Sequence, residues 1–302
     1  MIVSWDLALR AANKSEKTIR SYLDSARALQ RYLRNQGRQA DTESVTVSDI
    51  QEFLLAELER ASAATASHHF RNLRVFWNWV GQEGERTATS PMAGVQAPKV
   101  PRDVKQPFDE DSVRALLASC KGSGFEDRRD YAQILIMFDN GMRVSSLTGL
   151  RYHPTEEERT DVFLRKHLLR IRKKGGDHYY VPIGKKTAAA IDRYLRARAG
   201  HPKSDSPNLW LGTRGHSTDG MTSSGVSQML KRRARTAGIP QVHPHRFRRT
   251  FADNFLEEGG NLDDLMVIGG WANYKSVEPY LEGRKAKRAQ IAHGRLSPAD
   301  KL

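Results

Sequence analysis

Pro91, Pro98, Pro101 and Pro107 put four of the chain's twelve prolines inside seventeen residues. Each proline holds φ at about −65° and removes a backbone donor, so so dense a run continues neither a helix nor the interior of a sheet. Apolar periodicity is lost over the same stretch, from Glu85 to Gln106. The chain therefore divides near residue 100, with an extended connector over 91–107 between two segments that must each bury a core of their own. A length of 302 residues allows this, at a soft prior of about 150 residues per domain.

Ahead of the connector the spacing is helical. Ile19, Tyr22, Leu23, Ala26, Leu29, Tyr32 and Leu33 recur three or four apart, Ser15 suits an N-cap, and Gly37 stands beyond the last turn. Ser48 and Gln51 read as a capping box before Ile50, Phe53, Leu54 and Leu58. A third helix, from about Ser62 to Val80, carries Phe70, Leu73, Phe76, Trp77 and Val80 on one stripe, with His68, Arg71, Arg74 and Asn78 elsewhere. Residues 1–90 thus read as a small helical bundle.

Beyond the connector, Asp109 caps a helix through Val113, Leu116 and Leu117, and a second run covers Tyr131, Ile134, Leu135 and Phe138. Asp139-Asn140-Gly141 favours a turn with left-handed backbone, which puts Arg143 at the head of another short helix. Two β-runs, Leu168–Arg172 and Tyr179–Ile183, flank Lys174-Gly175-Gly176-Asp177 as a hairpin. Helices follow at Lys186–Arg198, Ser224–Ala237 and Pro244–Glu258, then a short one capped by Asn261, another from about Ser276, and a basic tail from Arg284. The fold class is mainly α with a small β-sheet.

Charge is spread unevenly over this plan. The chain is formally +14, but residues 1–100 carry 13 basic and 11 acidic side chains, net +2, while residues 101–302 carry 36 and 24, net +12. A field of that size attracts polyanions, nucleic acid first among them. The single cysteine, Cys120, can form neither an internal disulfide nor a CxxC metal site and reads as core filler. No stretch approaches the roughly 20 apolar residues of a membrane helix, and Met1–Lys14 has no apolar signal segment, so a cytoplasmic protein away from membranes is expected.

Taken singly, the residues that could carry chemistry have ordinary explanations. His245 and Arg248 lie three apart in the first turns of a helix, where free N–H groups and the dipole favour phosphate, yet a lone HxxR is most often a surface pair. Arg143 beside a glycine turn offers a forked, permanently charged donor, or a salt bridge. Lys174 in a hairpin turn is a projecting proton donor or phosphate contact, or a solubilising charge. Trp271 is a packing residue with one indole donor. Tyr280 is a half-buried tyrosine packed through Val277, or a nucleophile once cations favour its phenolate. With Ser276 as N-cap, Pro279 falls in the first helical turn, where its missing N–H costs nothing.

Jointly, Arg143 in DNGMRVSSLTGL, Lys174 in RKKGGDHYYVPI, His245 and Arg248 in PHRFRRTFADNFLEEG, Trp271 in GGWANY and Tyr280 nine residues later keep one order and spacing. This arrangement resembles the tyrosine recombinase (phage integrase) family over essentially the whole chain. The resemblance implies a SAM-like helical core-DNA-binding domain over 1–90, a mixed α/β catalytic domain over 108–283, and a C-terminal tail, 284–302, that passes between protomers. It implies site-specific DNA recombination: Tyr280 attacks the scissile phosphate, a 3′-phosphotyrosyl link forms and a 5′-hydroxyl leaves. Arg143 and Arg248 oppose the developing charge, Lys174 protonates the leaving oxygen, His245 assists proton transfer and Trp271 donates to a nonbridging oxygen. No metal or cofactor enters, and the motif segments indeed supply cations in place of the clustered carboxylates of a two-metal nuclease. The implied partners are double-stranded DNA core sites and three further copies of the chain on DNA, with an accessory directionality protein as an optional addition.

The fourteen residues before Ser15 are too few for an arm-type DNA-binding module, so a compact recombinase that reads core sites alone is expected. Three positions depart from the family pattern: Ser146 stands where an acidic residue is usual, Arg249 where histidine is, and Pro279 precedes the nucleophile. Two rival readings share the motifs, a type IB topoisomerase-like cleavage and religation, and a DNA-binding protein without catalysis.

The charge distribution sets a first test. Affinity for duplex DNA should fall roughly a thousandfold between about 50 and 200 mM salt, through counterion release from phosphate contacts, whereas a flat titration would refute electrostatic docking.

Overall fold

In the computed structural model, the described residues are 1–101, 106–172, 176–213, 220–281 and 285–301, without the side chains of 279–281, 285–288 and 301. Lys174 and Arg284 fall outside them. The chain forms two compact units, Met1–Asp103 and Val104–Leu302.

The first unit holds α1 (Ile2–Ala11), α2 (Glu16–Asn35), α3 (Val47–Arg60) and α4 (Ala63–Gln82). Ser15 caps α2 by accepting from the Thr18 N–H at 3.2 Å, and Ser62 caps α4 in the same way through Thr65. The expected stripes form the core, with Leu33, Ile50, Phe53, Leu73 and Val80 all but inaccessible. Two details differ from the sequence reading. The capping box of α3 is Thr46 with Asp49, not Ser48 with Gln51: the Thr46 side chain accepts from the Asp49 N–H and the Asp49 carboxylate accepts from the Thr46 N–H. Ser48 instead bonds Glu52 one turn on. The first fourteen residues also contain α1, whose Trp5 and Leu9 are buried and whose Trp5 ring stacks on Tyr22. Val3 and Leu7 lie exposed on its other side and blur the amphipathic signal that would have marked it.

The second unit holds α5 (Glu110–Ala118), α6 (Phe125–Asn140), α7 (Val144–Thr148), β1 (Val162–Phe163), β2 (Leu168–Arg172), β3 (His178–Pro182), α8 (Lys185–Ala199), α9 (Ser223–Ala237), α10 (Pro244–Glu257), α11 (Leu262–Gly269), α12 (Tyr274–Leu281) and α13 (Lys285–Leu296). Helix α6 is buried on nearly every side, including Ile134, Ile136 and Met137, and packs against α8 and α10. The sheet is antiparallel in the order β1-β2-β3, β1 being a two-residue addition too short to show as a pattern. Register pairs Leu169 with Val181 and Ile171 with Tyr179, so these four share the face turned to the core.

Both ends of the proline-rich stretch are tied down. Met92 is buried in the core of the first unit. At the other end, Arg246 of α10 donates to the carbonyls of Gln106 and Pro107 and lies 4.1 Å from the Phe108 ring centre, while the Thr250 hydroxyl accepts from the Phe108 N–H. Burial lowers the Arg246 pKa.

Two buried carboxylates pin arginines in this unit. The fully buried Asp130 accepts from Arg129 Nη2 at 2.8 Å and Arg233 Nε at 2.9 Å, joining α6 to α9. Asp161 accepts from the Arg151 N–H and from Arg170 and Arg172, fixing the base of the hairpin.

The C-terminal part departs from expectation twice. Helix α12 starts at Tyr274, and Asn273, not Ser276, supplies the cap: its side chain accepts from the Ser276 N–H at 3.0 Å. Asn273, three residues after the left-handed Gly270 and directly before the first residue of α12, stands where an N-cap acceptor belongs. Pro279 is then the sixth helical residue, beyond the first turn. The segment after Arg284, read as a basic tail, contains α13, with Ile291 and Leu296 exposed.

Asp130→Ala would leave the Arg129 guanidinium, 2% exposed, without its counter-charge. Urea unfolding should show a loss of about 3–5 kcal/mol, the usual cost of breaking a buried pair from one side.

Candidate active site

The site is built on two helix ends. Helix α6 finishes in Gly141, left-handed at φ 62°, whose N–H bonds the Met137 carbonyl in the single-bond glycine cap. Helix α11 finishes in Gly270, left-handed at φ 63°, in a Schellman motif: the Gly270 N–H bonds the Val267 carbonyl and the Trp271 N–H bonds the Met266 carbonyl. Glycine suits both positions, since it alone adopts this φ without a Cβ penalty. A Cβ on Gly141 would also stand 2.7 Å from Phe251 Cδ1.

Each of these glycines presents its carbonyl to one of the arginines singled out by sequence. Arg143, N-cap of α7 and exposed, donates from Nη1 to the Gly270 carbonyl at 2.6 Å. Arg248, from α10 and 2% exposed, donates from Nη1 to the Gly141 carbonyl at 2.8 Å. The pairing is crossed. The arginine that follows Gly141 is held by the glycine of α11, and the arginine of α10 by Gly141. Residues separated by 127 and 107 positions are thereby locked together. The usual acidic support for Arg143 is replaced by serine at 146, and the Gly270 carbonyl is the support found in its stead.

Trp271 follows directly from the Schellman turn. It is buried among Phe251, Leu265 and Val277, and its ring lies 3.6 Å beneath the Arg248 guanidinium carbon. A desolvated cation over an indole face is worth about 2 kcal/mol, which helps offset the burial of Arg248. The Trp271 ring fills the place a side chain on Gly269 would need, so Gly269 too is a packing requirement.

His245 is the second residue of α10, exposed, within the turn that has free N–H groups. Arg249 sits half-buried on the same helix. Tyr280 lies in α12, whose Val277 is fully buried and holds the helix against the Trp271 cluster. Its side chain and the whole of Lys174 are outside the described residues. Arg143, Arg248 and Trp271 therefore meet at one place, and His245 and Tyr280 stand on the helices around it.

Sequence reasoning missed Tyr179, on the core-facing side of β3. Burial pushes its phenol pKa up, while the positive charges of Arg143 and Arg248 pull the other way. Alternation in His178–Pro182 places it on the side of Val181, the one signal that could have found it. The two glycine carbonyls left no side-chain signal at all. No group of three or more His, Cys, Asp or Glu able to hold a metal occurs among the described residues. No described helix is long and apolar enough to cross a membrane.

The phage integrase family model matches residues 106–287, and the model of the phage integrase N-terminal SAM-like domain matches residues 1–84. The chain belongs to the phage integrase family. It is 30% identical over 275 residues, 90% of this chain and 86% of the relative, to tyrosine recombinase XerC of Chromobacterium violaceum. It is 28% identical over 283 residues, 92% and 89%, to tyrosine recombinase XerD of Shewanella oneidensis. Its fold matches XerH recombinase in a post-cleavage complex with palindromic difH substrate (TM-score 0.73, 17% identity, 94% of this chain and 81% of that one). It also matches a lambda integrase tetramer bound to a Holliday junction (TM-score 0.71, 16% identity, 92% and 75%). The chain is accordingly a tyrosine recombinase, an enzyme of site-specific DNA recombination.

Gly141→Ala tests the cradle. Strain at positive φ and the approach to Phe251 should cost about 1–2 kcal/mol of stability and displace the carbonyl under Arg248. Single-turnover DNA cleavage should fall at least tenfold while DNA binding by gel shift stays within a few-fold.

Proposed function

We propose that this recombinase breaks and rejoins duplex DNA through Tyr280. The Tyr280 oxygen forms a bond to the scissile phosphorus as the bond to the 5′-oxygen breaks, leaving a 3′-phosphotyrosyl link and a free 5′-hydroxyl. Attack by the 5′-hydroxyl of a partner strand reverses the step and releases the tyrosine. Arg143 and Arg248 stabilise the added negative charge of the phosphorane through the guanidinium nitrogens not engaged by Gly270 and Gly141. Lys174 protonates the departing 5′-oxygen, His245 moves the proton to and from Tyr280, and Trp271 combines an indole donor with the plate under Arg248. The crossed anchoring of the two arginines on glycine carbonyls carries this reading. Each glycine carbonyl fixes one guanidinium nitrogen and is itself uncharged.

The substrate is double-stranded core-site DNA in the cytoplasm, bound by the helical first unit and the basic second unit. Four copies assemble on two duplexes, as lambda integrase does on a Holliday junction, with the segment carrying α13 as the exchange element.

A DNA duplex nicked near the cleavage point traps the covalent complex. Wild-type protein should form it and Tyr280→Phe should not, whereas trapping by neither would favour DNA binding without catalysis. Arg143→Ala and Arg248→Ala should each slow trapping by about 10²–10³-fold with DNA affinity changed only a few-fold, because the charge they meet exists in the transition state. Equal losses in rate and affinity would assign them to binding. Exchange between two marked duplexes, against relaxation of a supercoil alone, separates recombination from topoisomerase action.

A further inference from the structure

Tyr179 lies near enough to Arg143 and Arg248 to feel both charges, and the mechanism above does not use it. It reaches the site from β3, paired with Ile171 and on the same face as Val181, so its backbone is fixed by the sheet. Its ring and hydroxyl come to rest against Gly270. A Cβ built on that glycine would collide with the phenol oxygen, would lie 3.0 Å from Tyr179 Cζ and would lie 3.5 Å from Arg143 Nη1. The phenol oxygen and the Arg143 guanidinium thus share the space beside Gly270, on the residue whose carbonyl holds Arg143.

We infer that Tyr179 is a positioning residue for strand cleavage, its neutral hydroxyl holding the Gly270 turn and the Arg143 guanidinium in the geometry that meets the phosphorane. This rests on the reading of Arg143 and Arg248 as the phosphate grip. Its chemistry fits the place. A phenol offers a hydrogen-bonding oxygen without a charge of its own. Burial raises the phenol pKa against the pull of the two arginines, which keeps the group protonated. A phenyl ring alone would fill the same volume without the oxygen, and a larger residue in place of Gly270 would evict the tyrosine.

The test uses the full-length protein and two nicked duplexes, one with a natural scissile phosphodiester and one with a methylphosphonate there. The methyl group removes one negative charge from the phosphorane and with it much of the need for a well-placed guanidinium. On the phosphodiester, Tyr179→Phe should slow covalent trapping roughly fivefold, the scale of one lost hydrogen bond, and Tyr179→Leu should slow it more. On the methylphosphonate both should come within about twofold of wild type, and Arg143→Ala should regain activity in parallel. Tyr179→Phe trapping the phosphodiester at the wild-type rate would overturn the inference. So would deficits equal on both duplexes, which is the behaviour of a residue that only supports the fold. If Tyr179→Leu fails to fold, the Phe variant still decides. Wild-type protein that traps neither duplex would overturn the catalytic reading and this inference with it. Arg143→Ala regaining activity without the Tyr179 variants would overturn this inference alone.

Discussion

The second unit holds two arginines, Arg143 and Arg248, through backbone oxygens at the ends of two helices. Arg143 and Arg248 rest on the carbonyls of Gly270 and Gly141, at 2.6 and 2.8 Å, and Arg248 is further supported by the Trp271 ring. Elsewhere the same unit also ends arginines on carboxylates, Arg129 and Arg233 on Asp130 and Arg170 and Arg172 on Asp161.

Much of the surrounding architecture follows from that choice. A carbonyl at a left-handed glycine projects past the last turn of its helix, so α6 and α11 must both end at the site. Helix α6 is buried throughout and tied at its end by Asp139, which accepts from the Gly184 N–H, and by Asn140, which bonds the Met142 N–H and the Pro182 carbonyl. The end of α11 is set by its Schellman turn and by Trp271, seated on Gly269 and among Phe251, Leu265 and Val277. Phe251 in turn closes the space over Gly141, so one aromatic residue serves both helix ends. Stiff helices capped in this way hold side chains more precisely than a loop would.

The anchoring of 106–108 onto α10 has the same logic. Arg246, two residues before Arg248, spends its donors on carbonyls of Gln106, Pro107 and Pro240, and Thr250 takes the Phe108 N–H. The helix that supplies His245 and Arg248 is therefore fastened at its first turn. A proline-rich segment suits this role, because it leaves carbonyls available and brings few donors of its own.

Sequence alone determined the division at the prolines, nearly every helix, the hairpin strands and the order of Arg143, Lys174, His245, Arg248, Trp271 and Tyr280. These are local matters: caps, periodicities and turn glycines act over a few residues, and the motif is a linear string. It erred where local signals compete, at Thr46 against Ser48 and Asn273 against Ser276, two acceptors a turn or less apart, and where Val3 and Leu7 hide the amphipathic face of α1. Only tertiary structure decided what holds each arginine. Each meets a main-chain carbonyl, which every residue possesses and no side-chain pattern marks, 127 and 107 positions away. The same holds for Tyr179, whose strand position was legible but whose neighbours, Gly270 and Arg143, exist only once the sheet has packed against the end of α11.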